Sequence, residues 1–400
     1  MSETEHRPES KLGLYLSIPF CRAKCSFCNF ASGVGSAEAV ERYVGLLCEE
    51  IRGARAWARG IGAELPERVD TVYFGGGTPS LLEPRQMKAV MDAVRGEFAL
   101  EAGAEITMEA APGQIGEGLL DGVLALGVNR VSLGVQSFVD REAQAVGRTH
   151  TEGNCLAEFA RLRRAGVGNL GADLIAGLPY QTEASWDHSL DVAVGAGLDH
   201  LSVYMLEIDE ESRLGREVLG GGARLHAPAV ASEELVGTLY ERACEVLPDA
   251  GFGQYETSNF AAEGYRSRHN LKYWMREPYL GSGLDASSML MVAGGGAVRF
   301  SNPDELDRYA GATSVREPEW ITERAAFEET VFLGLRLAEG LRWERLSRFP
   351  GAWLAEVSES MAGLCHEDLM GMDRERLWLT ARGRMVSGEI FGELLAGVAA

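Results

Sequence analysis

Nothing in the 400 residues approaches the ~18-residue apolar run that a membrane-spanning helix needs, and the opening MSETEHRPES has no apolar core. The expectation is a chain with no membrane span, no signal peptide and no anchor. Positive charge is also scarce: 38 Lys and Arg stand against 59 Asp and Glu, a net charge of −21. Nucleic-acid affinity comes largely from Lys and Arg neutralising phosphates, so no nucleic-acid partner is expected. An anionic membrane surface is disfavoured for the same reason. A small anionic ligand stays open, because a few local arginines can serve it. Seven cysteines leave one unpaired in any full disulfide scheme, and three of them crowd into eight residues. Without a secretion signal, that crowding reads as metal binding and places the chain in the cytoplasm.

What the chain does have is a rhythm. Strand candidates at Leu12–Ile18, Thr71–Phe74, Glu105–Glu109, Arg130–Val135, Gly171–Ala176 and His200–Leu206 alternate with helical stretches. Between the first two, Val40, Val44, Leu47 and Ile51 recur at helical spacing, with Ser36 placed to cap the helix. Such alternation implies parallel strands joined by right-handed crossovers. Six units in roughly 200 residues fall short of a closed eight-unit barrel of ~250. The fold class expected is therefore α/β, a partial (β/α)6 TIM-like barrel with a small C-terminal winged-helix-like α+β domain. The spacing divides the chain into a polar tail at 1–11, the barrel core at 12–208, an extension at 209–315 and the C-terminal domain at 316–400. That last part contains helix Ala325–Leu337, strand Arg376–Leu379 and an amphipathic helix ending near Leu395. Arg382 and Arg384 stand there against Glu389 and Glu393, too weak a basic patch for DNA, so packing or lid duty fits better.

The chemistry gathers after the first strand, in SIPFCRAKCSFCNF. Cys21, Cys25 and Cys28 have the spacing C-x3-C-x2-C, and a short loop can wrap three corners of a cubane because iron–sulfur clusters are held by Cys thiolates. A fourth iron without a protein ligand can chelate the amino and carboxylate groups of S-adenosylmethionine. Electron transfer to the sulfonium then yields a 5′-deoxyadenosyl radical. Structural zinc needs four ligands, and no fourth Cys or His lies nearby. The remaining cysteines read as small apolar packing groups. After the second strand, Gly75-Gly76-Gly77-Thr78-Pro79 matches neither G-x-x-x-x-G-K-[ST] nor G-x-G-x-x-G. It suits a tight turn or a backbone edge that a ligand can approach. Glu109, Gln136 and Asp173 end three further strands, with Arg148 just beyond Gln136; a charge buried at a strand end needs a partner.

These segments, with RVSLGVQSF, GRTH, DLIAGLP, QYETSNF, SRHNLKYW and LWLTARGRMVSGEIF, resemble the radical S-adenosylmethionine proteins related to oxygen-independent coproporphyrinogen III oxidase. Within that group the chain is most similar to the haem-chaperone branch, the HemW family. The resemblance runs from about Tyr15 to Phe391. It implies a [4Fe–4S] cluster on Cys21, Cys25 and Cys28, with S-adenosylmethionine lined by Tyr15, Phe27, Gly76, Gly77, Thr78, Glu109, Gln136, Arg148 and Asp173. It also implies haem as cargo, contacted by His269, Tyr273 and Trp274 of HNLKYW, although on the residues alone a single histidine is usually a hydrogen-bonded structural one. A haem-accepting protein and a flavodoxin- or ferredoxin-like electron donor would be partners. The alternative is a coproporphyrinogen III oxidase, an oxidoreductase of the dehydrogenase type. Against it, Phe30 stands where the oxidases carry a fourth cysteine. The chain departs from the family pattern at Ser17 and Ser287, where histidines are usual, and at Ala111, where asparagine is.

Overall fold

We analysed a computed structural model that describes residues 10–292, 296–311 and 316–396. Most of the expected polar tail and the expected boundary at 315 lie outside the described residues.

All six expected strands form, at Leu12–Ile18, Arg68–Gly76, Ala99–Ala110, Arg130–Gln136, Asn169–Ala176 and His200–Met205. They pair side by side in chain order, every pair parallel. On the first strand Leu12, Leu14, Leu16 and Ile18 point outward and are buried. They join Val44, Leu47 and Ile51 of helix Ala37–Gly60 in the main core. The predicted cap is present, with Ser36 Oγ accepting the Ala39 N–H at 3.2 Å. Burying each such aliphatic side chain contributes about 1.5–3 kcal/mol. The alternate positions, Gly13, Tyr15 and Ser17, face the barrel interior.

The sheet stays open. Past the sixth strand it continues antiparallel through Asn259–Ala261 and Gly253–Gln254. Past the first strand it gains Tyr279–Ser282, parallel, then Ser287–Val292, Ala297–Ser301 and Glu319–Ile321, antiparallel. The segment expected as an extension is thus woven into both edges of the barrel sheet, and Glu319–Ile321 carries that sheet beyond residue 315. The C-terminal part has its own core around Phe327, Val331, Leu335, Leu341, Leu377 and Ile390. Its helices, led by Glu323–Arg336, flank a three-stranded antiparallel sheet. Among the described residues no helix is long and apolar enough to cross a membrane.

Candidate functional site

Parallel strands direct their C-terminal ends to one side of a sheet, and there a cavity of about 1070 Å³ opens. Cys21, Cys25, Phe27, Cys28, Gly76, Gly77, Thr78, Glu109, Gln136, Arg148 and Asp173 all line it. The cysteine loop leaves the first strand and is pinned by main-chain bonds, Cys21 N to Gly33 O at 2.9 Å and Ser26 N to Val146 O at 3.1 Å. The Arg213 guanidinium donates to Lys24 O, and Thr78 Oγ1 lies 3.6 Å from Cys21 Sγ. Burial pushes the Cys25 thiol up, and the Arg148 charge pulls it back; Cys28 and Cys21 raise it further. Among the described residues no three His, Cys, Asp or Glu side chains could hold one metal ion. Cys21, Cys25 and Cys28 share the one cavity, and in a cubane each thiolate would hold a different iron.

Packing requires glycine at two positions of the glycine loop. Gly76 sits at φ +99°, and a Cβ there would lie 2.9 Å from Ser17 Oγ. At Gly77 a Cβ would lie 2.7 Å from Phe20 O and 2.9 Å from Ile18 O. The loop is therefore pressed against the strand end that launches the cysteines, with Gly77 N donating to Ile18 O at 2.8 Å.

Two carboxylates occupy the cavity floor. Glu109 accepts from Tyr73 Oη at 2.8 Å and from the Gly76 N–H. Burial, and then the neighbouring Asp173 charge, push its acid up to about 7. Asp173 accepts from Ser132 Oγ at 3.1 Å, and burial raises it as well. Opposite them, Arg148 Nε is buried with no hydrogen-bond partner. Gln136 holds a left-handed φ of +70°, strained for a side-chain-bearing residue. Phe27, Ile175 and Leu206 form a small apolar wall with Val146 and Leu178. One cavity thus offers thiols, carboxylates, an unsatisfied guanidinium and an apolar face. A zwitterionic, cationic nucleoside has a use for each.

Tyr15 stands one layer lower, with its ring stacked 6.0 Å from that of Tyr73. The histidine of HNLKYW lies lower still, towards the other end of the barrel, while Trp274 packs 5.8 Å under Arg336, which lines the cavity. Helix Arg268–Met275 plugs the N-terminal ends of the strands, and His269 is 1% exposed. Its Nδ1 is 2.8 Å from Thr71 Oγ1, its Nε2 2.9 Å from Tyr273 Oη, and its N–H donates to Glu105 at 3.0 Å. Both ring nitrogens are engaged, so the structure does not offer His269 as a haem ligand; Tyr273 and Trp274 do not line the cavity either. The segment built of flat rings and a histidine is here a barrel plug. His269→Ala is expected to lower stability by about 2–4 kcal/mol, since two buried hydroxyls lose partners and a void opens. Burial holds the wild-type imidazole down at about 3. An unfolded histidine titrates near 6.5. Its contribution is therefore full above that value and is lost as pH falls towards 3. Denaturant titrations across pH should show a shallower acid slope in the variant, and equal stability at neutral pH would refute the plug.

The cavity also includes residues with no motif around them. Phe30, Tyr204 and Met205 follow from their places beside the cysteines and at the end of the sixth strand. Tyr240 and Arg336 arrive from remote helices with nothing in the local sequence to mark them, while Arg384 and Met385 come from the LWLTARGRMVSGEIF segment, whose place at the cavity its order does not show.

The radical SAM superfamily profile matches residues 15–193, and the HemN C-terminal domain profile matches 321–386. The heme chaperone HemW of Lactococcus lactis is 30% identical over 385 residues, covering 95% of this chain and 96% of that protein. The chain belongs to the HemW family of radical SAM proteins. Membership brings with it a [4Fe–4S] cluster and S-adenosylmethionine. The bovine mitochondrial radical S-adenosyl methionine domain-containing protein 1 is 33% identical, over 96% of this chain and 88% of its own length. Among solved structures, coproporphyrinogen III oxidase (HemN) from Escherichia coli superposes with a TM-score of 0.79. It is 24% identical and covers 97% of this chain and 90% of its own, which shows the fold.

Proposed function

We propose that this protein binds haem and delivers it to acceptor proteins in the cytoplasm, with the cluster and S-adenosylmethionine in a supporting or regulatory role. The observation that carries this reading is end-to-end similarity to proteins named heme chaperones. Phe30, 61% exposed at the cavity, supports it, since the oxidases place a cysteine there. Cys21, Cys25 and Cys28 would hold three irons and leave the fourth for S-adenosylmethionine. When bound, the cluster supplies an electron to the sulfonium, with a flavodoxin- or ferredoxin-like donor to recharge it. Gly76 and Gly77 admit the ligand close to the backbone, Arg148 receives its carboxylate, and Glu109, Gln136 and Asp173 hold its polar groups. Phe27 and its apolar neighbours exclude water from the adenine.

The test is an anaerobic preparation assayed in parallel for a Soret shift on haem titration, haem transfer to an apoprotein, and coproporphyrinogen III consumption. Haem binding and transfer without protoporphyrinogen are expected. Protoporphyrinogen formation would establish the oxidase instead.

Glu109 makes the ligand affinity pH-dependent. A cationic ligand favours the carboxylate, so affinity for S-adenosylmethionine should level off above about 7, the value to which burial lifts the acid. Below it, affinity should fall by up to about tenfold per pH unit. Calorimetry on wild type and Glu109→Gln checks this, because the variant should bind weakly and with a flatter profile. An unchanged profile would remove Glu109 from the site.

A further inference from the structure

The haem reading leaves open where the porphyrin sits, now that the HNLKYW helix is a plug. We infer that Arg336 and Arg384 of the C-terminal part receive the two haem propionates, seating the porphyrin against the part of the cavity that they line. This rests on the haem reading above. At about 1070 Å³ the cavity sits at the top of the ~300–1,000 Å³ range of a single small-ligand site. It carries the cysteines and carboxylates, and Tyr204, Met205, Tyr240 and Met385 line it too, flat or polarisable side chains suited to a macrocycle.

The two arginines stand out in a chain of net charge −21. Both line the cavity, and among the described residues neither forms an ion pair. Arg161 in the same cavity, by contrast, is neutralised by Glu158 at 2.7 Å. Arg336 is held over the rings of Trp274 and Phe391, at 5.8 and 5.4 Å, and among the described residues its guanidinium has no hydrogen-bond acceptor. A stacked guanidinium keeps its edges free for a carboxylate. Arg384 spends one N–H on Leu379 O at 3.0 Å and keeps the rest of its fork. Glu256 feels the Arg336 charge but is committed to Ser258 N at 3.1 Å and to the Asn259 amide. The arginines also share neighbours. Tyr240 Oη donates to Thr257 O, Thr257 Oγ1 is 3.5 Å from Arg336 O, and the Arg384 charge acts on Tyr240.

The remaining charge is divided. The acidic residues Glu109, Asp173, Glu207 and Asp209 line the barrel side of the cavity, interspersed with the cations Arg22, Lys24 and Arg148. A porphyrin with two adjacent propionates can turn both to the arginines.

The experiment compares haem with haem dimethyl ester, whose propionates are capped, by Soret titration of cluster-loaded protein. Wild type should prefer haem by about tenfold or more for each carboxylate engaged, since charge-assisted bonds are the strong ones. Arg336→Gln/Arg384→Gln should bind the two porphyrins within about twofold while retaining iron and S-adenosylmethionine binding. Arg336→Lys/Arg384→Lys should recover part of the preference. The ratio is insensitive to a general loss of stability. Equal binding of haem and ester by wild type, or a preference that survives in the glutamine variant, overturns the assignment and leaves the haem reading intact. Failure of wild type to bind either porphyrin overturns both.

Discussion

Cys25→Ser protein, reconstituted anaerobically with iron and sulfide, is expected to hold almost no cluster, against about four irons and four sulfides in wild type. Cys25 is the most buried of the three thiols, on a loop tied to Val146 and Gly33 by main-chain bonds. The loop is pre-shaped, so the loss reflects a missing ligand rather than a collapsed segment. A serine hydroxyl at that depth is a poor iron donor, and the two remaining thiolates hold only two of the four irons. S-adenosylmethionine affinity should fall with the iron, because the unliganded corner disappears. Iron and sulfide analysis with the visible spectrum measures this. Wild type that instead takes up stoichiometric zinc would sink the cluster assignment.

Gly76→Val should weaken S-adenosylmethionine binding at least tenfold. Two effects combine. A β-branched residue at φ +99° is strained by more than the ~1–2 kcal/mol that an L-residue incurs in the left-handed region. Its Cβ would also press on Ser17 Oγ and the Ile18 backbone. Relief of that pressure moves the Gly76 N–H away from Glu109, which loosens the cavity floor. Gly77→Ala gives the contrast, since its Cβ meets only the backbone of Ile18 and Phe20. That variant should lose iron before it loses ligand affinity. Calorimetry and iron analysis on both variants separate the two, and unchanged affinity in a folded, cluster-loaded Gly76→Val protein would remove the loop from the site.

Most of the barrel and of the inner cavity was legible in the amino-acid order. The six strands follow from β-rich runs at regular spacing, and Glu109, Gln136 and Asp173 stand out because polar residues end apolar strands. Cysteine spacing and a glycine triplet are likewise local signals, since they state what one loop can wrap or admit. The edge strands Tyr279–Ser282, Ser287–Val292 and Ala297–Ser301 were not legible, because they are short and gain their bonds only from strands remote in sequence. The same holds for HNLKYW. Its order of residues fits a haem ligand as well as a plug. Thr71, 198 residues away, decides between them by taking the imidazole nitrogen. Arg336 carries no mark in its own segment, and Arg384 reads there only as half of a weak basic patch.

By itself, then, the sequence determined the parallel barrel, the cluster loop and the floor of the cavity, because those depend on periodicity and on neighbours within one loop. Tertiary structure decided which histidine is buried, which arginines stay without acids, and which end of the barrel is open. Burial and pairing belong to three-dimensional neighbourhoods, where desolvation sets the cost of a charge and the availability of a ligand.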